Sequence, residues 1–274
     1  MITTAVFDID GTLALMDKAT QSYQALEGAI AALEACAVAG IDVWAYTNGT
    51  FFPPALYYPR LAQAGLVLKA GRVITPATVA AHVLRERGHR RVMILGAEGT
   101  VLPMREAGFE VVPAEADTGA VDAVLIGWVP DLTLARIEAL VRAVWAGAQP
   151  YSVSDAPYFA GAKGRLLGVS GSVGAIIAHA CGVTPVVLGK PSTIGLEMVA
   201  RAAGVVPAQI AVIGDDPTLE IRMARLAGAR AIGVTTGISG PDDFNAADPA
   251  HRAQRVMTDL SQLLTEDWLN HTIV

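Results

Sequence analysis

An α/β fold built on parallel sheet, with a second, smaller α/β domain inserted into the first, is the architecture that this 274-residue sequence predicts. Three observations predict it. Short apolar runs alternate with longer Ala-rich amphipathic stretches, the rhythm of βαβ units. Polar residues able to do chemistry cluster at residues 8–12, 47–49, 190 and 214–220, each at or just past the carboxyl end of a predicted strand. Open α/β sheets bind their ligands at that edge. The stretch 76–178 keeps the βαβ rhythm but has no such polar tips. Residues 1–75 with 179–274 are therefore expected to form a Rossmann-like core, and 76–178 an insert that covers its active edge.

Taken in order, the apolar run Ala5–Ile9 is the first strand and Leu26–Val38 the first helix; Asp42–Tyr46 is the second strand. Within the insert, the helix Pro76–Arg87 ends among Arg85, Arg87, Arg90 and Arg91, where cations complement the helix dipole. The strand Val92–Leu95 follows, and Gly96-Ala97-Glu98-Gly99 reads as a turn because it lacks the full dinucleotide fingerprint. Ala123–Ile126 is a strand, Leu134–Trp145 and Ser172–Cys181 are helices, and Val186–Leu188 is a strand. The helix Ile194–Ala203, the strand Ile210–Ile213, the helix Leu219–Ala227 and the strand Ala231–Val234 complete the series. No long linker, low-complexity tract or fixed-period repeat interrupts it.

A net charge of −6 gives no support to nucleic acid or an anionic membrane as partner. Mean hydropathy is high, at +0.44. Yet the longest uncharged run, between Arg165 and Lys190, is broken by Gly168, Gly171, Gly174, Gly182, Pro185 and Gly189. A spanning helix needs about 20 mostly apolar residues without such punctuation. Met1-Ile2-Thr3-Thr4 leads directly into an apolar strand with no basic leader. Cys36 and Cys181 form neither a disulfide framework nor a zinc spacing. A soluble cytoplasmic protein is the expectation.

Four constellations carry the chemistry. In Val6-Phe7-Asp8-Ile9-Asp10-Gly11-Thr12, a strand ends in two carboxylates on one side of the chain, followed by a glycine turn. Thr47-Asn48-Gly49 ends another strand with a hydroxyl and backbone N–H groups suited to a phosphate cradle. Lys190, one of four lysines against sixteen arginines, offers a compact ammonium at a strand end. In Gly214-Asp215-Asp216-Pro217-Thr218-Leu219-Glu220, Asp216 and Pro217 read as a helix cap and first helical position. That leaves Asp215 for another task.

In this order and these contexts, the sequence resembles the haloacid-dehalogenase superfamily of phosphotransferases. Asp8-Ile9-Asp10-Gly11-Thr12 matches its first motif, Thr47-Asn48-Gly49 its second, Lys190 its third, and Gly214-Asp215 through Glu220 its fourth. The insert between the second and third motifs looks like a C2-type cap, and Thr47-Asn48 with Gly189-Lys190-Pro191-Ser192 is similar to the NagD-like branch. That branch includes p-nitrophenyl-phosphatases, nucleotide phosphatases and pyridoxal-phosphate phosphatases. One departure stands out: Leu219-Glu220 occupies the place where the branch usually carries Thr-Asp. Glu220 could bind metal through water, or hold Asp215 or Lys190 in place.

The resemblance implies a Mg2+-dependent phosphomonoesterase acting on a small phosphorylated metabolite through an aspartyl-phosphate intermediate. Asp8 is the implied nucleophile, and Asp10 the general acid and base. Asp8, the Asp10 carbonyl and Asp215 are the implied metal ligands, with Glu220 and Asp216 as a supporting shell. Thr47, Asn48, Gly49 and Lys190 would hold the phosphoryl oxygens. In the insert, Asp155, Tyr158 and either Lys163 or Arg165 are candidate contacts for the leaving group. The rival readings are transfer to an acceptor other than water and a catalytically weak phospholigand-binding homologue. A homodimer through the cap is a further possibility.

Overall fold

The computed structural model of the chain describes residues 1–17, 20–115, 119–161 and 164–264, with backbone alone at 159–161, 164 and 165. The chain forms two compact units. One comprises Met1–Thr47, Ala55–Ile74 and Lys190–Val274; the other comprises Asn48–Pro54 and Thr75–Gly189.

The first unit is built on a six-stranded, wholly parallel sheet. Its order is Arg255–Met257, Arg230–Val234, Ile210–Gly214, Thr4–Phe7, Asp42–Tyr46 and Val73–Ile74. Read from the last strand, this is the doubly wound order 3-2-1-4-5-6, with the chain reversing direction across the sheet beside Thr4–Phe7. Every residue of that strand is buried, as expected of a parallel strand covered on both faces. Its register pairs Phe7 with Ile213 on one side and with Ala45 on the other. The residues that follow these three strands therefore emerge together at the switch point, the place where such sheets bind ligands.

The second unit has a five-stranded parallel sheet of order Val186–Val187, Gln149–Ser152, Ala123–Ile126, Arg91–Leu95 and Glu110–Pro113. Met93, Leu95, Val124 and Ile126 pack there with Leu140 and Val144 of the helix Leu134–Trp145 and with Val173 and Ile177 of Val169–Cys181. Thr75 and Thr133 start two of its helices by accepting backbone N–H bonds from Thr78 and Arg136. Because Val169–Cys181 contributes core residues and Val186–Val187 adds a strand, residues 179–189 group with this unit.

The helices Leu134–Trp145 and Ile194–Ala203 and the strands Asp42–Tyr46 and Ala123–Ile126 have the expected bounds. Elsewhere the structure differs for identifiable reasons. The first helix starts at Ala29, since Leu26 donates its N–H to Leu13 O beside an antiparallel hairpin of Ala14–Asp17 with Ser22–Ala25. The stretch expected as the helix Leu219–Ala227 is a π-helical turn, Pro217–Ile221, followed by the short helix Arg222–Ala227. Gly96–Gly99 is only in part a turn, because a helix begins at Glu98 and runs to Glu106. That helix and Pro54–Gln63 escape a reading by punctuation because each contains a proline, Pro103 and Pro59. Among the described residues no helix is long and apolar enough to cross a membrane.

Candidate active site

Asp8 follows the last residue of the central strand, and its N–H donates to Ile213 O at 2.9 Å, so the backbone is still held in the sheet. The carboxylate is 6% exposed. Lys190, reaching it across 182 residues of sequence, is 1% exposed. The ammonium has three protons, and three acceptors surround it: Asp8 Oδ1 at 2.5 Å, Glu220 Oε1 at 2.5 Å and Tyr46 O at 2.9 Å. Burial works against that charge, but Asp8 and Glu220 outweigh it and hold the lysine above its ordinary pKa.

Three buried carboxylates share this one lysine. Burial above all pushes Asp8 up to about 7; Lys190 pulls it back, and the charge of Asp215 adds to the rise. Burial likewise lifts Glu220 to about 7 against the pull of Lys190. Asp215 is raised to about 6 by burial and then by Glu220, while the Ile238 N–H, donating to Oδ2 at 2.9 Å, opposes the shift. Fully ionised, Asp8, Asp215 and Glu220 would leave two uncompensated negative charges beside Lys190, and the upward shifts record that excess.

Asp215 sits in a cradle that admits no side chain on either wall. A Cβ at Gly11, where φ is +103°, would lie 2.5 Å from Asp215 Oδ2, and one at Gly237 would lie 1.9 Å from the same atom. Thr12 Oγ1 donates to Asp215 Oδ1 at 3.4 Å, and Thr236 Oγ1 donates to Gly11 O at 2.7 Å, tying the two walls together. Asp10 is exposed, beyond the fully buried Ile9, and its charge adds to the rise of Asp8.

The remaining expected residues fall as follows. Thr47 is buried at the end of its strand, its N–H donating to Ile74 O at 3.1 Å. Asn48 and Gly49, next in the chain, are half-buried and open the second unit. Glu220 gives Oε1 to Lys190 and accepts the Asp216 N–H at 3.2 Å through Oε2, so the extra methylene serves to hold the lysine. Asp216 caps the π-turn, its Oδ1 accepting both the N–H and the hydroxyl of Thr218 at 2.7 Å. Asp155 and Tyr158 are exposed residues of the second unit. Lys163 lies outside the described residues, as does the side chain of Arg165.

Sequence reasoning missed the loop Thr235–Ile238 and three tyrosines. The loop's signal, small polar residues and a glycine after the strand Arg230–Val234, was of the same kind as at Thr47-Asn48-Gly49. Tyr46 lies with its ring 5.5 Å from Lys190 Nζ. Tyr23 and Tyr57 both feel the charges of Asp10 and Asp8.

The whole chain compares closely with known proteins. Residues 5–110 match the family model for haloacid dehalogenase-like hydrolases, and residues 187–263 match a second model of HAD-like hydrolases. The chain belongs to the haloacid dehalogenase-like hydrolases. It is 26% identical over 235 residues to the sugar-phosphatase AraL of Bacillus subtilis, covering 85% of this chain and 82% of that one. In structure it is similar to the 4-nitrophenylphosphatase of Thermotoga maritima, with a TM-score of 0.86, 23% identity and 98% of each chain covered. A glycerol phosphate phosphatase from Mycobacterium tuberculosis, solved in complex with magnesium, gives a TM-score of 0.83 at 24% identity, covering 96% of this chain and 76% of that one. NagD from Escherichia coli is a further structural neighbour, with a TM-score of 0.82 at 21% identity, covering 96% of this chain and 98% of that one.

The donors at the switch point are hard oxygens only, with a surplus of negative charge. That chemistry fits Mg2+, which needs one or two carboxylates and keeps several waters. Among the described residues no three His, Cys, Asp or Glu side chains form a ready cage. A cage of that kind is what Mg2+, unlike Zn2+, does not require.

Proposed function

We propose that the chain is a Mg2+-dependent phosphomonoesterase that cleaves a small phosphorylated metabolite by way of an aspartyl phosphate. The observation that carries this reading is Asp8 at the switch point, clamped by a buried Lys190 and crowded by Asp215 and Glu220. Phosphoryl transfer asks mainly for positioning and charge neutralisation, and this arrangement offers both.

A carboxylate oxygen of Asp8 forms a bond to phosphorus as the bond to the leaving oxygen breaks. Asp10 gives that oxygen its proton, then takes a proton from the water whose oxygen displaces Asp8 and releases phosphate. Its exposure suits a group that must meet both the leaving group and water. Lys190 keeps Asp8 oriented and offsets charge on the transferring group, while Thr47 and the N–H groups of Asn48 and Gly49 after it hold the phosphoryl oxygens. The carboxylates of Asp8 and Asp215, with the Asp10 carbonyl, would hold Mg2+, which when bound compensates the negative charge gathered on carboxylate and phosphate. Glu220 acts on Lys190, and Asp216 on the turn that carries Glu220. Substrate choice is assigned to the second unit, with Asp155 and Tyr158 as the residues to vary first.

The test is release of p-nitrophenol from p-nitrophenyl phosphate by wild type and Asp8→Asn, with and without Mg2+. Turnover that requires both the ion and Asp8 is expected. Turnover surviving in Asp8→Asn, purified free of contaminating phosphatase, would overturn the nucleophile.

A further inference from the structure

We propose that the second unit carries an effector site of its own, taking a small aliphatic carboxylic acid at the carboxyl edge of its sheet. Numbered along the chain, its strands Arg91–Leu95, Glu110–Pro113, Ala123–Ile126, Gln149–Ser152 and Val186–Val187 stand in the spatial order 2-1-3-4-5, all parallel. The chain therefore reverses direction between Arg91–Leu95 and Ala123–Ile126, and open α/β sheets bind ligands in the crevice beyond such a reversal. The first unit has Asp8 at its own reversal; this second one has no task in the phosphatase reading.

Gly96 and Gly127 follow the two strands, and the Gly127 N–H donates to Leu95 O at 2.6 Å. A Cβ at Gly96 would lie 2.9 Å from Thr100 Cβ, and one at Gly127 would lie 2.9 Å from Thr100 Oγ1. Thr100 is fully buried, and its hydroxyl has no hydrogen-bond partner among the described residues. An orphaned buried hydroxyl is uncommon in folded proteins, and this one stands against both loops of the crevice. At the same edge opens a pocket of about 390 Å3, whose lining includes Gly96, Val101, Val112, Val129, Arg105 and Arg136.

The lining decides the ligand class. Its side chains are aliphatic except for the two guanidiniums. Arg105 is exposed in the last turn of its helix. Arg136 spends Nη1 on Asp131 O and Oδ1, both at 3.2 Å, and a guanidinium has further N–H donors to give. Their planar forks match a carboxylate. The hydroxyls of a sugar would be left unpaired against valine walls, whereas a short branched alkyl chain gains from burial there.

The same two loops hold the segment that continues from Thr47. The Ala97 N–H donates to Trp128 O at 3.0 Å, which joins the loops to each other. A Cβ at Gly99 would lie 2.1 Å from Thr50 O, and the rings of Phe51 and Trp128 stand with centroids 4.8 Å apart. Thr50 and Phe51 directly follow Asn48-Gly49, the proposed phosphate-holding residues. An occupant that shifts these loops therefore acts on the grip on phosphate, and that makes the site an effector site.

The experiment is calorimetric titration of the full chain with 4-methylpentanoate, with 4-methylpentan-1-ol and inorganic phosphate as comparison probes. Turnover of p-nitrophenyl phosphate is measured at each concentration of the acid. The acid is expected to bind with a Kd of about 1 mM or below. Arg105→Gln and Arg136→Gln are each expected to weaken it at least about tenfold, and the uncharged alcohol to bind at least about tenfold more weakly than the acid. Saturating acid is expected to change kcat/KM at least about twofold in wild type and to leave both arginine variants unmoved. No binding up to about 10 mM, binding untouched by either substitution, or an alcohol bound as tightly as the acid would overturn the site. Arginine-dependent binding of phosphate without binding of the acid would overturn the ligand class. Binding that leaves kcat/KM unmoved would overturn the effector role. The binding arm needs no catalysis, so failure of the phosphatase reading shows separately, as activity surviving in Asp8→Asn.

Discussion

Replacing Gly237 by alanine should disable the metal site while leaving the fold standing. The new Cβ would lie 1.9 Å from Asp215 Oδ2 and 2.4 Å from its carboxyl carbon. Ordinary contact begins near 3.4 Å, so the carboxylate must retreat by about 1.5 Å. The neighbour is the side chain under test, and Gly11 also stands close against it, so it cannot move without leaving its place. Its bond from the Ile238 N–H, now 2.9 Å, would be lost or stretched. Overpacking of this kind costs about 1–3 kcal/mol of stability. Misplacing a reacting group by about 1 Å costs on the order of a hundredfold in rate. We expect kcat/KM on p-nitrophenyl phosphate to fall by about two orders of magnitude, and Mg2+ affinity by calorimetry to fall at least about tenfold. Gly240→Ala is the internal control: it lies three residues on, and an added Cβ there meets nothing nearer than 3.9 Å. Wild-type Mg2+ affinity and activity in a folded Gly237→Ala protein would refute the placement of Asp215 at the metal.

Two further outcomes follow from the same cluster. Lys190→Met strips Asp8 and Glu220 of their shared cation, and an orphaned buried charge costs about 3–5 kcal/mol; urea unfolding at pH 8 should show a loss of that order, and a change below about 1 kcal/mol would contradict the clamp. The carboxyls of Asp8, Glu220 and Asp215 stand at about 7, 7 and 6 when folded, above their unfolded values, so the native state holds extra protons. That stability is fully present below about pH 4 and is lost as pH rises through 6 to 7. Metal-free protein should therefore unfold more easily at pH 8 than at pH 5, with these three sites contributing about 2 kcal/mol or more, and added Mg2+ should reverse the loss. Equal stability at both pH values in a chelator would count against the raised carboxyls.

Local pattern was enough to read the α/β class, the central strands and the polar tips. Asp42–Tyr46 is apolar after its first residue and runs into the polar Thr47, and Ala123–Ile126 is apolar throughout; a buried parallel strand imposes such a pattern on its own few residues. Asp8, Thr47, Lys190 and Asp215 stood out because each breaks an apolar context at a strand end. Elements stabilised by partners far away in sequence were not legible. The helices around Pro59 and Pro103 form against local propensity, and two-residue strands such as Val73–Ile74 exist only through the neighbour they pair with.

The site divides in the same way. From its own residues the sequence determined which groups stand at the sheet edge and what chemistry they could do. Only the tertiary structure decided how they are shared: Lys190 among Asp8, Glu220 and a carbonyl, Glu220 turned to the lysine, and Gly237 closing on Asp215. The physical reason is that burial and Coulomb energy depend on separation in space. Asp8 and Lys190 are 182 residues apart along the chain but 2.5 Å apart across the fold, and no periodicity within either segment records that distance.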